Sequence, residues 1–273
     1  MQDMRVALVG GRGMLGRAFG LGLMRAGMPA RNITVFSRSD QPLPEGLEAV
    51  ALMQDYRQLA ARCDLAVLLL PPAQARTLRL DLAGKPVLSV MAGIDLAQLA
   101  RIAPEAQLAR AMSSPAAEQG LAYSPWVAGA GLDARGMAQV GTFLGALGRA
   151  ERLENEELLA LFTALTGPVP GFVALFAEMM QDYLVARGVA EAVADRAIRQ
   201  LFLGAGQMMA HQPATASAHV RDMLAYGGTT AAGLQVLRDA PLRRMLFEGL
   251  DAAAERARSI GLPSGETSPS REA

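Results

Sequence analysis

The chain has 273 residues, of which 51% are hydrophobic and 19% are charged, so it can bury a large core, and its length favours two moderate domains. Lys plus Arg and Asp plus Glu both count 26, and this balance argues against a nucleic acid or an anionic membrane as a partner. The single Cys63 allows neither an internal disulfide nor a metal framework. We therefore expect that the protein binds no metal. Because we recognise neither a secretory signal nor an apolar stretch of about 18 residues, we also expect it to be cytoplasmic.

The first half of the chain alternates apolar strands with helical or loop segments. Residues 5–10 predict a buried parallel strand, which is followed by a glycine turn and by a helix that stops at Gly27. Further strands are predicted at 33–36, 64–70 and 86–90. This alternation predicts a parallel sheet covered by helices on both faces, an α/β domain that we assign to residues 1–153.

From about residue 154 the sequence is helical throughout. The helical patterns cover residues 172–187, 190–209, 229–239 and 241–260. Apolar residues such as Val173, Met179 and Tyr183 surround much of the helix circumference, which exceeds one core-facing stripe and favours burial against another subunit. An intramolecular bundle core is the alternative. We therefore predict an all-helical domain over 154–262 that forms a homo-oligomer, and a disordered tail over 263–273.

The glycine turn has the spacing of a dinucleotide site. Gly11 would permit the tight turn, Gly13 would let phosphates approach the backbone, and Gly16 would let helix and strand pack closely. Because the turn follows a strand and opens a helix within a βα repeat, it indicates a Rossmann-type cofactor domain. A purely structural glycine turn is the alternative.

The end of the second strand predicts which cofactor is bound. NAD binders place an acidic side chain there, whereas this chain has Ser37, Arg38 and Ser39, which suit a 2′-phosphate. We therefore predict NADP(H). Asp40 is the rival, since its return to the ribose would weaken this preference and leave Arg38 as an ordinary surface charge.

A second glycine pair, Gly227-Gly228, precedes Thr229, Thr230 and an apolar helical pattern. Thr229 or Thr230 can cap that helix while the glycines leave amides free to bind a carboxylate. The alternative is that the glycines end one helix and the threonine caps the next, with no ligand.

These motifs together resemble the pyrroline-5-carboxylate reductases over nearly the whole chain apart from the tail. The matching stretches are the 11–16 turn, Ser89-Val-Met-Ala-Gly-Ile94, Arg110-Ala-Met-Ser-Ser-Pro115, Ala164-Leu-Thr-Gly167, Leu203-Gly-Ala205 and, most specific, Leu224-Ala-Tyr-Gly-Gly-Thr-Thr-Ala-Ala-Gly-Leu234. The resemblance implies an NADPH-binding Rossmann domain, a helical dimerisation domain, assembly into dimers or rings of dimers, and reduction of a cyclic imine, pyrroline-5-carboxylate, to proline.

The resemblance also implies site residues. Thr230 would donate a hydrogen bond to the ring nitrogen of the imine, while the amides of Gly228 and Thr229 hold the carboxylate; a purely capping Thr230 is the alternative. No histidine–carboxylate pair is evident, but a protonated imine needs little more than positioning. The predicted cofactor residues are Gly11, Gly13, Met14, Leu15, Ser37, Arg38, Ser39, Leu70, Pro71, Ala92 and Gly93, and the predicted substrate residues are Gly227, Gly228, Thr229 and Thr230.

The chain departs from the family pattern near the implied site. Residues 112–115 form a loop one residue shorter than the family's M-P-N-T-P, residues 166–172 replace glycine and serine by proline and valine, and Ala225-Tyr226 replaces Ser-Pro. Leu70-Pro71-Pro72 also replaces the family's Val-Lys-Pro. Two alternatives therefore stay open, namely a reductase of a different imine and an inactive NADP-binding homologue.

Overall fold

A computed structural model describes residues 3–166 and 171–260. Two parts of the sequence predictions, the tail 263–273 and the turn residues 167–170, lie outside this range. The described residues form two compact units, one of residues 3–166 with 250–260 and the other of residues 171–249.

The first unit is built on a sheet that has, among the described residues, eight strands in the order β3-β2-β1-β4-β5-β6-β7-β8. The strands are β1 Val6–Val9, β2 Ile33–Phe36, β3 Ala51–Met53, β4 Leu65–Leu68, β5 Pro86–Ser89, β6 Gln107–Ala111, β7 Ala122–Ala128 and β8 Gly148–Arg152. The four predicted strands are confirmed as β1, β2, β4 and β5, with ends that differ by up to two residues. Strands β3, β6, β7 and β8 were not predicted.

The four predicted strands belong to a parallel part of the sheet, as expected, but the sheet as a whole also contains an antiparallel pair. Strands β1 to β6 pair in parallel, but β7 runs antiparallel to β6, with Ala111 opposite Trp126. The connection between them contains only a short 3-10 turn, Pro115–Gln119, and is too short for the crossover that a parallel pair needs. A helix does connect β7 to β8, and these two strands pair in parallel.

Helices cover both faces of the sheet, as predicted. The helices of the first unit are α1 Met14–Arg25, α2 Leu59–Arg62, α3 Pro72–Ala75, α4 Leu96–Ile102, α5 Ala134–Ala146 and α6 Leu158–Thr166. Because side chains alternate along a strand, Leu8 packs with Phe19 of α1 and Phe143 of α5 on one face, whereas Ala7 packs with Leu99 of α4 on the other. This double layer fixes the ends of β1 and β2, where the candidate site begins.

The second unit is helical, as predicted. Its helices are α7 Gly171–Val185, α8 Glu191–His211, α9 Ala216–Tyr226, α10 Thr229–Asp239 and the first part of α11 Leu242–Ser259. The sequence predicted no bounds for α9, which begins where the Thr215 hydroxyl accepts a hydrogen bond from the amide of Ala218 at 3.2 Å. The prediction for α10 was correct to the residue.

The surface of α7 is unusually apolar. None of its described residues is buried, and Met179 is 49% exposed. Within the longer stretch Leu158–Val185, which includes residues outside the described range, a window of 18 residues has a mean hydropathy of 1.8, which is high enough for a membrane span. No such stretch was expected from the sequence. A helix that packs on another subunit has the same length and composition.

Candidate functional site

The glycine turn lies between β1 and α1. Gly10 has a φ of +81° and donates its amide hydrogen to the carbonyl of Phe36 at 2.9 Å, which holds the turn against the end of β2. The left-handed backbone therefore belongs to Gly10, although Gly11 was expected to provide the turn. Gly11 instead packs against Leu8, where a Cβ would lie 2.8 Å from the Leu8 Cβ. Two adjacent glycines in the sequence leave open which of them has the left-handed backbone.

Gly13 and Gly16 have opposite surroundings. A Cβ at Gly16 would overlap the backbone of Gly11, so α1 can pack on the turn only with glycine there. A Cβ at Gly13, which precedes the first turn of α1, would meet nothing within 4 Å. The first amides of a helix have no acceptor within it and attract anions. Open space before such amides fits the pyrophosphate of a dinucleotide.

Ser37, Arg38 and Ser39 directly follow β2. The Ser37 hydroxyl accepts a hydrogen bond from the Ser39 amide at 3.2 Å, which folds the segment into a tight turn. Arg38 is exposed, and within residues 3–166 and 171–260 it forms no ion pair and no hydrogen bond, with Asp40 or with any other residue. Burial raises the pKa of the nearby Tyr56, and the positive charge of Arg38 partly opposes this rise. A guanidinium without a partner here fits the 2′-phosphate of NADP(H).

A cavity of about 420 Å³ lies within the first unit, at the carboxyl ends of β5 and β6. It is lined by Met14, Leu15, Val90, Ala92, Met112, Ser113, Pro115, Thr163, Ala164, Ala253, Arg256, Ala257 and Ile260. Three of the predicted cofactor residues, Met14, Leu15 and Ala92, therefore face one space. Ligands of such sheets bind at this edge.

The remaining predicted cofactor residues surround this edge without lining the cavity. Leu70 lies against the turn, since a Cβ at Gly10 would meet the Leu70 side chain at 2.7 Å. Pro71 precedes α3, and Gly93 has a φ of +69° in the loop after β5. Leu70, Pro71 and Gly93 thus lie in the loops that follow β4 and β5. In the sheet, β4 is the neighbour of β1 and β5 is the neighbour of β4.

Ser113 lines the cavity but was not among the predicted site residues, although the sequence placed its loop, residues 112–115, near the implied site. It follows β6 and is buried, and its hydroxyl accepts a hydrogen bond from the buried hydroxyl of Ser124 on β7 at 2.9 Å. The antiparallel pairing of β6 with β7 brings the two side chains together. The serines in the shortened loop were the sequence signal, but their partner is set by the unpredicted strand β7.

Replacing Ser113 by alanine is expected to lower the free energy of unfolding by about 1–3 kcal/mol, because the Ser124 hydroxyl stays buried without a partner. Replacing both serines by alanine is expected to cost less than the single change. Denaturant unfolding of the three proteins measures both values. A double variant that is less stable than the Ser113→Ala variant would contradict this interpretation.

The second glycine pair lies in the second unit, between α9 and α10. Gly227 ends α9 with a φ of +72°, and Gly228 precedes α10 with no side-chain cap. The predicted cap by Thr229 or Thr230 is wrong, because the two glycines occupy both cap positions and the threonines already belong to the first turn. Both threonines are exposed. Their backbone amides are the first of α10 and have no acceptor within the helix, so these amides can bind an anion.

Comparisons with known proteins agree with these features. Residues 156–260 match the family model for pyrroline-5-carboxylate reductase dimerisation, and residues 5–93 match the model for NADP oxidoreductase, coenzyme F420-dependent. The pyrroline-5-carboxylate reductase of Vibrio alginolyticus is 28% identical over 95% of this chain and 98% of its own length, and that of Haemophilus influenzae is 26% identical over the same shares.

Solved structures show a similar fold. The pyrroline-5-carboxylate reductase of Coxiella burnetii has a TM-score of 0.82 at 22% identity and covers 95% of this chain and 99% of its own. The pyrroline carboxylate reductase of Plasmodium falciparum, solved with NADP bound, has a TM-score of 0.79 at 18% identity and covers 96% and 100%.

Proposed function

Because the chain belongs to the pyrroline-5-carboxylate reductase family, we propose that it reduces pyrroline-5-carboxylate to proline with NADPH. It is an oxidoreductase that acts on a C=N bond and uses NADP(H). The observation that carries the proposal is the joint presence, in one chain, of a glycine turn open to a dinucleotide at Gly13 and a helix start with free amides at Thr229.

The first unit supplies the residues that would hold the coenzyme. The amides at the start of α1 would bind the pyrophosphate, and Arg38 with the Ser37–Ser39 turn would bind the 2′-phosphate. Met14 and Leu15 would pack against the coenzyme at the cavity. When bound, NADPH supplies the hydride that the imine carbon accepts.

The second unit supplies the residues that would hold the imine. The amides of Gly228 and Thr229 would bind its carboxylate, with Gly227 leaving room for the approach. The Thr230 hydroxyl would accept a hydrogen bond from the N–H of the protonated imine, and would donate one to the ring nitrogen once hydride addition has made it a neutral amine. In a protonated imine the nitrogen already carries its proton, so hydride addition to carbon leaves the neutral amine. The chain then needs to orient the C=N bond rather than to transfer a proton.

The chain forms a homo-oligomer, since its helical half matches a dimerisation model. We propose a dimer as the basic assembly, and the exposed apolar side chains of α7 support it. The buried free thiol of Cys63 fits the reducing cytoplasm, where we place the reaction.

A different imine is the second candidate substrate. Tyr226 stands where the family has proline, and its side chain is 84% exposed beside the proposed carboxylate site. The shortened loop 112–115 also lines the cavity. Each change lies in a segment where the resemblance places substrate contacts, so the ring that the enzyme accepts would differ from that of pyrroline-5-carboxylate.

NADPH oxidation against a panel of imines tests the substrate. The panel contains pyrroline-5-carboxylate, the same five-membered ring without its carboxylate, and a six-membered cyclic imine carboxylate. We expect the highest kcat/KM for the first, and a fall of about a hundredfold or more without the carboxylate, since each charge-assisted hydrogen bond contributes about 1.5–3 kcal/mol. Preference for the six-membered ring would support the second candidate. NADPH binding without turnover of any imine would identify an inactive homologue.

Replacing Thr230 by alanine is expected to lower kcat/KM for the imine by about tenfold to a hundredfold, because one hydrogen bond to a charged group is lost. Thr229→Ala is the matched control, since it keeps the backbone amide, and it should retain most activity. Thr230→Ser should restore turnover. If Thr230→Ala leaves kcat/KM unchanged while thermal stability falls, Thr230 has only a structural role.

A further inference from the structure

Arg12 lies in the glycine turn, and its side chain reaches the loop after β2. Its Nη2 donates a hydrogen bond at 3.1 Å to the carbonyl of Pro42, in the loop after β2. Its Nε is buried and has no hydrogen-bond partner among the described residues. Arg12 also forms no ion pair within that part of the chain. Burying a guanidinium N–H without an acceptor is unfavourable unless a ligand supplies the acceptor.

The contact with Pro42 places Arg12 beside the segment that carries Arg38. The hydrogen bond from Gly10 to Phe36 fixes the turn at the end of β2, and the Ser37 amide donates to the carbonyl of Met53 at 3.0 Å, which fixes the start of the loop. Two guanidinium groups, neither paired with a carboxylate in the described chain, thus belong to segments that are hydrogen-bonded to each other. Such a pair is suited to a dianion rather than to a hydroxyl.

We propose that Arg12 is a second cation for the 2′-phosphate of NADPH and sets the preference for NADPH over NADH. This inference rests on the coenzyme site of the proposed function and adds a residue to it. The phosphate monoester carries about two negative charges, whereas NADH has a neutral hydroxyl at that position. A contact made by Arg12 therefore strengthens the binding of one coenzyme and leaves the other unchanged.

The experiment titrates the full-length protein with NADPH and with NADH, with no imine present, and follows the fluorescence of the reduced nicotinamide. In Arg12→Met, which keeps the aliphatic stem, we expect the Kd for NADPH to rise about tenfold to a hundredfold and the Kd for NADH to change less than about twofold. Arg31→Met removes one exposed positive charge from the same unit and should change neither Kd.

Thermal unfolding without coenzyme shows whether Arg12→Met is folded. We expect only a small change in the Tm, because the variant loses the exposed hydrogen bond to Pro42 but also removes a buried N–H that lacks an acceptor. A second variant, Arg12→Lys, keeps the positive charge but loses the paired N–H donors of the guanidinium. Its Kd for NADPH should lie between that of the unaltered protein and that of Arg12→Met.

Three outcomes would overturn the proposal. An equal rise in Kd for both coenzymes would place Arg12 at the pyrophosphate, which they share. Unchanged binding of both coenzymes would make Arg12 a purely structural link to Pro42. If the unaltered protein binds no NADPH, the proposed function fails together with this inference, whereas the first two results leave the proposed function intact.

Discussion

Replacing Gly13 by valine is expected to abolish NADPH binding while the first unit stays folded. A Cβ at Gly13 meets nothing within 4 Å in the chain itself, and its φ of −73° is accessible to any residue. The added side chain would instead occupy the space before the first amides of α1, where the pyrophosphate has to approach the backbone. The measurement is a fluorescence titration with NADPH, combined with circular dichroism and thermal unfolding of the variant without coenzyme.

Gly16→Ala is the matched control on the same turn. Its Cβ would overlap the backbone of Gly11, so this change should lower the free energy of unfolding by about 1–3 kcal/mol or more. The two replacements should therefore have different effects: Gly13→Val should abolish NADPH binding, and Gly16→Ala should lower stability. Normal NADPH affinity in Gly13→Val would show that the phosphates do not bind at the start of α1.

The double change Leu175→Glu with Met179→Glu is expected to dissociate the homo-oligomer. The two residues are four positions apart on α7 and so share one face of it, and they are 51% and 49% exposed. A carboxylate buried at a subunit interface without a partner is strongly unfavourable, so two per subunit should favour monomers. Size-exclusion chromatography with light scattering measures the mass, and the imine reductase activity is followed in parallel.

Leu121→Glu is the control for the oligomer. Leu121 is 70% exposed in the first unit and lies outside the residues that match the dimerisation model, so its replacement should leave the mass unchanged. An unchanged mass in the α7 double variant would exclude this face of α7 from the interface. Dissociation of both variants would show a general loss of structure rather than a specific interface.

Sequence reasoning succeeded where the signal is local. β1 and β2 are continuous apolar runs, and each lies between two neighbouring strands in the sheet, so burial on both faces dictates their composition. It failed at β6 and β8, whose sequences Gln-Leu-Ala-Arg-Ala and Gly-Arg-Ala-Glu-Arg contain few strand-forming residues. These strands form because a paired neighbour supplies their hydrogen bonds, which no local pattern reveals.

The candidate site divides in the same way. By itself, the sequence determined the glycine turn between β1 and α1, the cofactor class and the start of α10 at Thr229, since closely spaced glycines and hydroxyls dictate local backbone geometry. The tertiary structure alone decided that Gly10 carries the left-handed backbone, that Ser113 pairs with Ser124, and that Arg12 reaches Pro42 with a buried Nε. Each of these features depends on how a turn or strand packs against a segment elsewhere in the chain, and such contacts leave no periodic pattern in the sequence.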